Sequence, residues 1–448
     1  MGEIMTERMR DLIVQGSIPE FLRDGDDLDC MYLPVRGVPI ATGFVNNGNE
    51  NPIVILPDTS EVREFVTETE SIYKEINLPS PESVFVPNSN YFLDLAIESE
   101  LDLVLGRLDI RHGHILRPYA NTEVSDKWTT EATQKGYKVT NSLPRKEYKP
   151  HQTRSIWGRR VSNPDEPSFP QKYDIPYPNS FVSSGREELI EAYEIVTSFS
   201  GEAGAWLKLS SSAGGFGLAR VESEREAVAF YEKMKRTGAL NLFGATPDEI
   251  DIEVQENIKN VVGFGSYQYD GRTLLTPGGI STQLLNGQNW AGNKFNVLDE
   301  SLSLQATDIH QRISQGMQNE GYTDFFGWGG VDVALVGIQD SLKLEVVENN
   351  WGRITGAHPG IYFANALGVS GKPFLVRKLP PPKVDAKECW HLLKSEGLAY
   401  DTQTKIGAVP IPWVRNVDAF VFVVGENDNT ITEISDRVVN LTAKNGYH

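Results

Sequence analysis

The sequence predicts an α/β protein, and three observations support that class. Apolar segments of strand length recur along the chain, for example at residues 53–56, 83–86 and 419–424. Stretches with helical spacing of apolar residues, such as 61–75, lie between them, and this alternation is typical of α/β units. A length of 448 residues is enough for about two to four structural units with a large core.

Charge and cysteine content exclude several classes of function. The net charge is −19, with 61 acidic and 42 basic side chains, and no stretch concentrates lysine and arginine. Electrostatics therefore argue against a nucleic-acid partner and against an anionic membrane surface. Cys30 and Cys389 are the only cysteines, which excludes a disulfide framework and a thiolate zinc site and indicates a reducing, cytoplasmic environment. The apolar runs are of strand length, so we expect no membrane-spanning segment.

Residues 1–120 predict an N-terminal α/β domain with a small parallel or mixed sheet. Within it, His112 and His114 have no further histidine or cysteine at ligand spacing, so a metal site is a weak interpretation. We interpret this segment as a polar junction that faces a cleft. Arg117, which follows it, is a candidate substrate contact.

A predicted helix and an irregular segment come next. Ser125 and Asp126 at its start and Gly136 at its end are typical helix boundaries, and Lys127 lies in its first turn. Seven prolines are scattered over residues 141–180, and they predict an insertion without a regular helix or a central strand.

A glycine-rich turn between two strands is the first candidate for phosphate binding. The strand at 206–209 leads into a loop of small residues and then into a second strand at 218–221. Small residues let the backbone close around a triphosphate, and Lys208 on the first strand can reach the same phosphates. The spacing differs from that of a P-loop, a protein kinase and a Rossmann turn. An ordinary surface turn is the alternative. The loop residues that would contact the phosphates are Ser211, Ser212, Gly214, Gly215 and Gly217.

A predicted hairpin carries the second candidate site. Asp332, Glu348 and Asn350 lie at the ends of two apolar strands joined by a turn at 337–341. A turn of that length sets Val336 opposite Leu342, which places the three polar side chains on one face, whereas a turn one residue shorter does not.

Two carboxylates and an amide oxygen, with no cysteine or histidine nearby, suit Mg²⁺ better than Zn²⁺. An ordinary hairpin with acids at its exposed ends is the alternative. Residues 278–294, polar and rich in glycine, predict a mobile loop over a site, with Lys294 as a further candidate substrate contact. A solvent-exposed connection is the alternative.

Taken together and in order, five segments resemble the ATP-grasp ligases. They are SDK at 125–127, WLKLSSSAGGFGLARV at 206–221, IEVQENI at 252–258, GVDVAL at 330–335 and VVENNWGRITGAHP at 346–359. The resemblance implies an ATP-grasp domain at 121–365, with a lid subdomain at about 178–258, between the N-terminal domain and a small C-terminal domain at 366–448. This layout is similar to the peptide-ligase branch that includes the pheganomycin ligase, a branch of secondary-metabolite biosynthesis.

The resemblance also implies roles for single residues. Lys127 and Lys208 would hold the phosphates of ATP under the glycine-rich loop, and Arg353 would steady the transferred phosphoryl group or the substrate carboxylate. The metal ligands Asp332, Glu348 and Asn350 would bind two Mg²⁺ ions. The strand end that would present its backbone to adenine is Gln255, Glu256, Asn257 and Ile258.

The implied reaction is ligation of a carboxylate to an amine. ATP, with Mg²⁺, phosphorylates a small carboxylic acid or amino acid, and an amine or peptide acceptor attacks the acyl phosphate to give an amide, ADP and phosphate. Activation for a thiol or phosphoryl acceptor and a non-catalytic ATP-binding scaffold are the alternatives. The sequence is compatible with a homodimer and leaves the oligomeric state open.

Overall fold

The structure is a computed structural model, and in the part of the chain that it describes, three β-sheets with helices packed on them form the fold. The predicted α/β class is confirmed. The structure describes residues 9–14, 37–45, 52–87, 98–108, 110, 113–118, 123–141, 156–200, 204–209, 217–236, 251–287, 289–321, 328–338, 341–351, 356–379, 384–411 and 419–444.

The first sheet has five parallel strands in the order β3-β2-β1-β4-β5. Its strands are β1 (Met9–Val14), β2 (Ile53–Pro57), β3 (Glu82–Val86), β4 (Gly113–Pro118) and β5 (Lys138–Asn141). Its helices are α1 (Gly37–Val45), α2 (Ser60–Glu75), α3 (Glu98–Leu105) and α4 (Glu123–Gln134). Both faces of β2 are buried, which explains why that strand is apolar throughout. The predicted domain boundary at residue 120 lies inside this unit, because β5 pairs with β4.

The second sheet has five strands in the order β6-β7-β10-β8-β9. Its strands are β6 (Arg159–Arg160), β7 (Ser180–Ser184), β8 (Ala205–Leu209), β9 (Leu218–Val221) and β10 (Asp251–Glu256). The helices of this part of the chain are α5 (Phe169–Lys172), α6 (Arg186–Ser200) and α7 (Glu224–Arg236). One face of the sheet is apolar and forms a core with α6 and α7. Because side chains alternate along a strand, polar residues of β8 and β10 lie on the opposite face.

The third sheet has nine strands, eight of them in the order β16-β15-β11-β13-β14-β17-β19-β18, with β12 paired to β11. Its strands are β11 (Val261–Asp270), β12 (Thr273–Leu274), β13 (Ser281–Asn286), β14 (Asn289–Phe295), β15 (Trp328–Val336), β16 (Lys343–Trp351), β17 (Phe374–Leu379), β18 (Gly407–Ile411) and β19 (Ala419–Val424). The helices are α8 (Glu300–Asn319), α9 (His358–Leu367), α10 (Ala386–Ser395) and α11 (Asp428–Lys444). The C-terminal strands therefore continue the sheet of the preceding part of the chain, since β17 pairs with β14.

Two sequence-based expectations about loops differ from the structure. Residues 278–294, predicted as a mobile loop, contain β13 and most of β14, which pair within the third sheet. In the predicted proline-rich insertion, the described residues 156–180 include β6 and α5, and Trp157 and Phe169 are buried in the core beneath β11, β15 and β16. Burial of these aromatic rings orders a segment whose prolines interrupt regular structure. No helix in the described ranges is long and apolar enough to cross a membrane.

Candidate active site

The turn between β15 and β16 is one residue longer than the sequence predicts. Val336 pairs with Lys343, so residues 337–342 separate the strands, and the predicted pairing of Val336 with Leu342 is wrong. In a regular ladder, this extra residue would turn Glu348 to the opposite face from Asp332.

A β-bulge at Val347 reverses the effect of the longer turn. Val333 pairs with Val346, whereas the next pair along the ladder is Asp332 with Glu348, so Val347 is the extra residue of the bulge. The two added residues cancel, and Asp332 and Glu348 lie directly opposite each other on one face. The predicted common face is confirmed, although the register that produces it differs from the predicted one.

Two amides bind the carboxylate of Asp332. Asn350 donates from Nδ2 to Asp332 Oδ2 at 2.9 Å, and Gln283 donates from Nε2 to Asp332 Oδ1 at 2.6 Å. Gln283 lies on β13, in the segment predicted as a loop, and sequence reasoning missed it. Its position depends on the pairing of β13 with β11 and of β11 with β15, which no local pattern reveals.

The donor set fits a hard cation. Among the described residues, no group of three or more His, Cys, Asp and Glu side chains is placed to hold a metal ion, so a site here needs an amide as its third ligand. Asn350 supplies one. A rotation of its side-chain amide by half a turn exchanges the nitrogen and the oxygen, and the oxygen then lies beside Asp332. Two carboxylates and an amide oxygen match the ligands of Mg²⁺, which commonly keeps several waters.

The buried ammonium group of Lys208 lies against β16, the strand that carries Glu348. Lys208, on β8, is only 5% exposed. It donates from Nζ to Gln255 Oε1 at 2.6 Å and to the backbone carbonyl of Val347 at 2.7 Å. Such hydrogen bonds offset the loss of water around a buried charge. The structure thus places the Lys208 ammonium on the backbone of Val347, the residue before Glu348, a contact that the sequence does not predict.

Further polar residues share this face of the second sheet. Glu253 lies opposite Lys208 in the β8–β10 ladder, is fully buried, and accepts a 2.6 Å hydrogen bond from the Tyr177 hydroxyl. Its other oxygen, Oε2, is buried without a hydrogen-bond partner among the described residues. The sequence does not single out Tyr177. Glu253 has a usable signal that was missed, because it is a charged residue within a strand that also carries apolar residues.

Side chains brace the strand end predicted to face adenine. Glu256 Oε1 accepts hydrogen bonds from the backbone nitrogen and Nδ2 of Asn179 at 2.9 and 2.8 Å, and Asn257 Nδ2 donates to the Gly204 carbonyl at 3.1 Å. Ile258, next in the chain, is partly exposed. Burial raises the pKa of the Glu345 carboxyl on neighbouring β16, and the nearby Glu256 carboxylate raises it further. Two acids therefore lie close together at this strand end.

Only the last residue of the predicted phosphate loop is described. Gly217 has φ +71°, and its carbonyl accepts a hydrogen bond from the Leu209 nitrogen at 2.9 Å. A Cβ at Gly217 would come within 2.6 Å of Leu209 Cδ1, so the loop requires glycine where it closes. The other predicted residues of this loop and the predicted arginine lie outside the described residues: Ser211, Ser212, Gly214, Gly215 and Arg353.

Lys127, the other lysine predicted to hold the phosphates, makes its contact within its own helix. Lys127 lies on α4, in the connection from β4 to β5 of the first sheet. Its side chain is 61% exposed, and its ammonium lies 3.6 Å from Glu131 one turn along the helix. Among the described residues, no contact joins Lys127 to Lys208 or to the acids of the hairpin. The helix begins at Glu123, so Lys127 is not in its first turn.

The two described candidates for substrate contacts, Arg117 and Lys294, are engaged by other residues. The Arg117 guanidinium lies 3.5 Å from Asp270 and over the rings of Phe44 and Trp328, at 4.9 and 4.8 Å. It thus joins β4 of the first sheet to β11 and β15 of the third.

Lys294 donates to Asp428 at 2.7 Å and to Thr432 at 2.9 Å, both on α11. This places Lys294 against the C-terminal helix, and among the described residues it makes no contact with Asp332 or Glu348.

No model of a known protein family matches the sequence, and no curated protein matches it either. Solved structures do match the structure of this chain. The biotin carboxylase domain of 2-oxoglutarate carboxylase from Hydrogenobacter thermophilus superposes with a TM-score of 0.57 at 13% identity, over 97% of this chain and 90% of that one. N5-carboxyaminoimidazole ribonucleotide synthetase from Thermus thermophilus gives 0.54 at 16% identity, over 97% and 99%. Phosphoribosylamine–glycine ligase from Thermotoga maritima gives 0.51 at 13%, over 98% and 96%.

The chain has the ATP-grasp fold. The match extends over nearly the whole chain, so the first sheet and the C-terminal strands belong to the shared architecture as well. At these identities the likeness shows the fold alone, and it leaves the reaction to be argued from the residues of the site.

Proposed function

We propose that the protein is an ATP-dependent carboxylate–amine ligase, and within that class a peptide ligase. The observation that carries the proposal is the pairing of Asp332 with Glu348 across the β15–β16 hairpin, with Asn350 2.9 Å from Asp332 and the buried Lys208 ammonium on the adjoining residue. Asp332 and Glu348 can hold a metal ion, and the Lys208 ammonium is a fixed cation next to them. Together these groups suit the binding of a nucleoside triphosphate.

Solved structures of this fold support the choice of nucleotide and metal. The Hydrogenobacter thermophilus domain was solved with MgADP, ADP and bicarbonate, and a biotin carboxylase from Campylobacter jejuni was solved as a β,γ-ATP complex. We propose that this chain uses ATP and Mg²⁺ in the same way. When bound, Mg²⁺ would neutralise phosphate charge between the reacting groups.

The chain's own residues must hold anions close together. A substrate carboxylate that attacks a triphosphate brings negative groups into contact, and positioned cations stabilise the charge that moves during transfer. We assign that role to Lys208, with Lys127 and Arg353 as further candidates. Burial strengthens the electrostatic effect of Lys208, because little water is present to screen it. The glycine-rich loop that closes at Gly217 would cover the phosphates.

Adenine and substrate positions follow from the same arrangement. We propose that the backbone of 255–258, braced through Glu256 and Asn257, faces adenine. Arg117 lies near the carboxyl end of β4, and the carboxyl ends of parallel strands are common places for ligands. It remains our candidate for the substrate carboxylate, although it must then be shared with Asp270. The peptide-ligase assignment rests on the sequence resemblance and predicts an amino acid or peptide as substrate.

An isotope experiment tests the reaction. Acids from a panel of amino acids and peptides are labelled with oxygen-18 at the carboxylate and incubated with ATP, Mg²⁺ and an amine, and the products are examined by mass spectrometry. We expect one labelled oxygen in orthophosphate for each amide formed, together with ADP, because the carboxylate oxygen that attacks the γ-phosphorus leaves with it. The same mixture with Asp332→Asn enzyme serves as the control.

Three outcomes would contradict parts of the proposal. Label in AMP would indicate an adenylating enzyme. Labelled phosphate without an amide would indicate a different acceptor. ATP bound but never hydrolysed, with any acid or amine of the panel, would support the non-catalytic scaffold.

A further inference from the structure

We propose that Lys208 has a second task, separate from binding ATP: its ammonium holds the β-bulge at Val347 and thereby positions Glu348 for the metal. The inference rests on the metal site of the proposed function. It makes Lys208 a positioning residue that acts on Glu348 through the backbone, because its ammonium donates to Gln255 and to the carbonyl of Val347, the residue before Glu348.

The bulge decides which way Glu348 faces. If the ladder beyond Val333–Val346 continued regularly, Val347 would lie opposite Asp332, and Glu348 would lie opposite Val331. That second face is apolar. Its residues on the two strands pack against α8 in one core, and they are Val331, Val333, Leu335, Leu344 and Val346. Glu348 would then be directed into this core without a charged partner, at a large cost in free energy.

The bulge needs hydrogen bonds from outside its own hairpin. A bulge removes backbone groups from the ladder, and buried backbone groups require partners. The Val347 carbonyl accepts from Lys208 at 2.7 Å, and the nitrogen of the preceding residue, Val346, donates to the Pro176 carbonyl at 2.8 Å. Both partners belong to the part of the chain that contains the second sheet. Two residues from that part of the chain, Lys208 and Pro176, therefore hydrogen-bond to β16 at the bulge.

Lys208 is itself held in place. Its strand is paired on both sides, with β10 and β9, and Gln255 accepts a second hydrogen bond from the same ammonium at 2.6 Å. Because these contacts hold the Lys208 ammonium in place, it can fix the position of the Val347 carbonyl. Residues that orient metal ligands from outside the coordination sphere commonly change metal affinity by about 10- to 100-fold when they are replaced.

The sign of an affinity change separates the two roles of Lys208. Mn²⁺ is titrated into the full-length protein without nucleotide, and free Mn²⁺ is measured by electron paramagnetic resonance. Removing a positive charge beside a cation site, as in Lys208→Met, should tighten Mn²⁺ binding if electrostatics alone acts. If Lys208 positions Glu348, we expect Mn²⁺ to bind at least about tenfold more weakly. Unchanged or tighter binding overturns the inference.

Matched variants keep the experiment specific. Lys372→Met removes a lysine that also donates to a backbone carbonyl, that of Thr404 at 3.0 Å, and we expect it to leave Mn²⁺ binding unchanged. Asp332→Asn should weaken Mn²⁺ binding in either case. If the unaltered protein binds no Mn²⁺, or if Asp332→Asn has no effect, the metal assignment fails, and the exchange measurement below decides the role of Lys208 by itself.

Amide hydrogen exchange provides that second measurement. In Lys208→Met and in Lys208→Gln, whose side chain is too short to reach Val347, we expect faster exchange in the peptide that covers 343–351. Exchange in β17 and β19 of the same sheet should match that of Lys372→Met, which excludes general loosening of the fold. Unchanged exchange at 343–351 in both variants would show that the bulge stands without Lys208.

Discussion

The substitutions Asp332→Asn and Glu348→Gln are each expected to lower kcat by at least about a hundredfold while ADP still binds. Each removes a carboxylate that, with its metal, would stabilise charge moving between ATP and the substrate, and losing one strong electrostatic group costs about 10²–10³ in rate. Nucleotide binding is affected less, because the neutralisation matters most in the transition state. Phosphate release gives kcat, and calorimetry with MgADP gives the affinity.

A surface carboxylate supplies the control for these variants. Asp436 lies 2.6 Å from Arg377 and is 57% exposed, so Asp436→Asn loses one ion pair of small energetic value and should keep its activity. Near-normal kcat in both hairpin variants would contradict the site. Loss of kcat in Asp436→Asn as well would show that the assay reports stability rather than chemistry.

The hairpin shows what local sequence can and cannot predict. Asp332, Glu348 and Asn350 are recognisable as polar residues beside two apolar runs, and both strands form. Each strand extends further than predicted, so Asp332 lies inside β15 rather than at its end. Their register is not recognisable, since the turn is longer and a bulge at Val347 compensates. Partners from distant parts of the chain, among them Lys208, bind this bulge. The predicted turn is one residue too short and the bulge at Val347 is not predicted, and these two errors cancel.

Lys208 and Gln283 illustrate the same division. Lys208 was predicted because a lysine on a strand before a glycine-rich turn is a local pattern, yet its contacts with Gln255 and Val347 join three strands distant in sequence. Gln283 was missed altogether, because its segment contains four glycines (Gly278, Gly279, Gly287 and Gly292) and therefore predicted a loop. Pairing with β11 makes it a strand, and tertiary contacts override weak local preference.

Gly292 shows why the strand β14 contains a glycine. It lies on β14 opposite Arg377 of β17, with φ +143°. A Cβ at this position would collide with the Val376 carbonyl oxygen and lie 3.0 Å from Arg377 Cα. Both obstacles are backbone atoms of the neighbouring strand, which cannot move aside as a flexible side chain could. The junction between the central strands and the C-terminal strands therefore depends on glycine.

We expect Gly292→Ala to lower the free energy of unfolding by at least about 3 kcal/mol, the sum of backbone strain at positive φ and a steric clash that nothing relieves. Gly287→Ala is the matched control, because Gly287 lies in the same hairpin with φ +61° and nothing within 4 Å of its added Cβ. It carries only the conformational strain, about 1–2 kcal/mol. Urea unfolding followed by circular dichroism measures both. Equal losses in the two variants would mean that β14 and β17 do not approach as closely as the structure shows, and that the glycine-rich segment behaves as the loop its composition predicts.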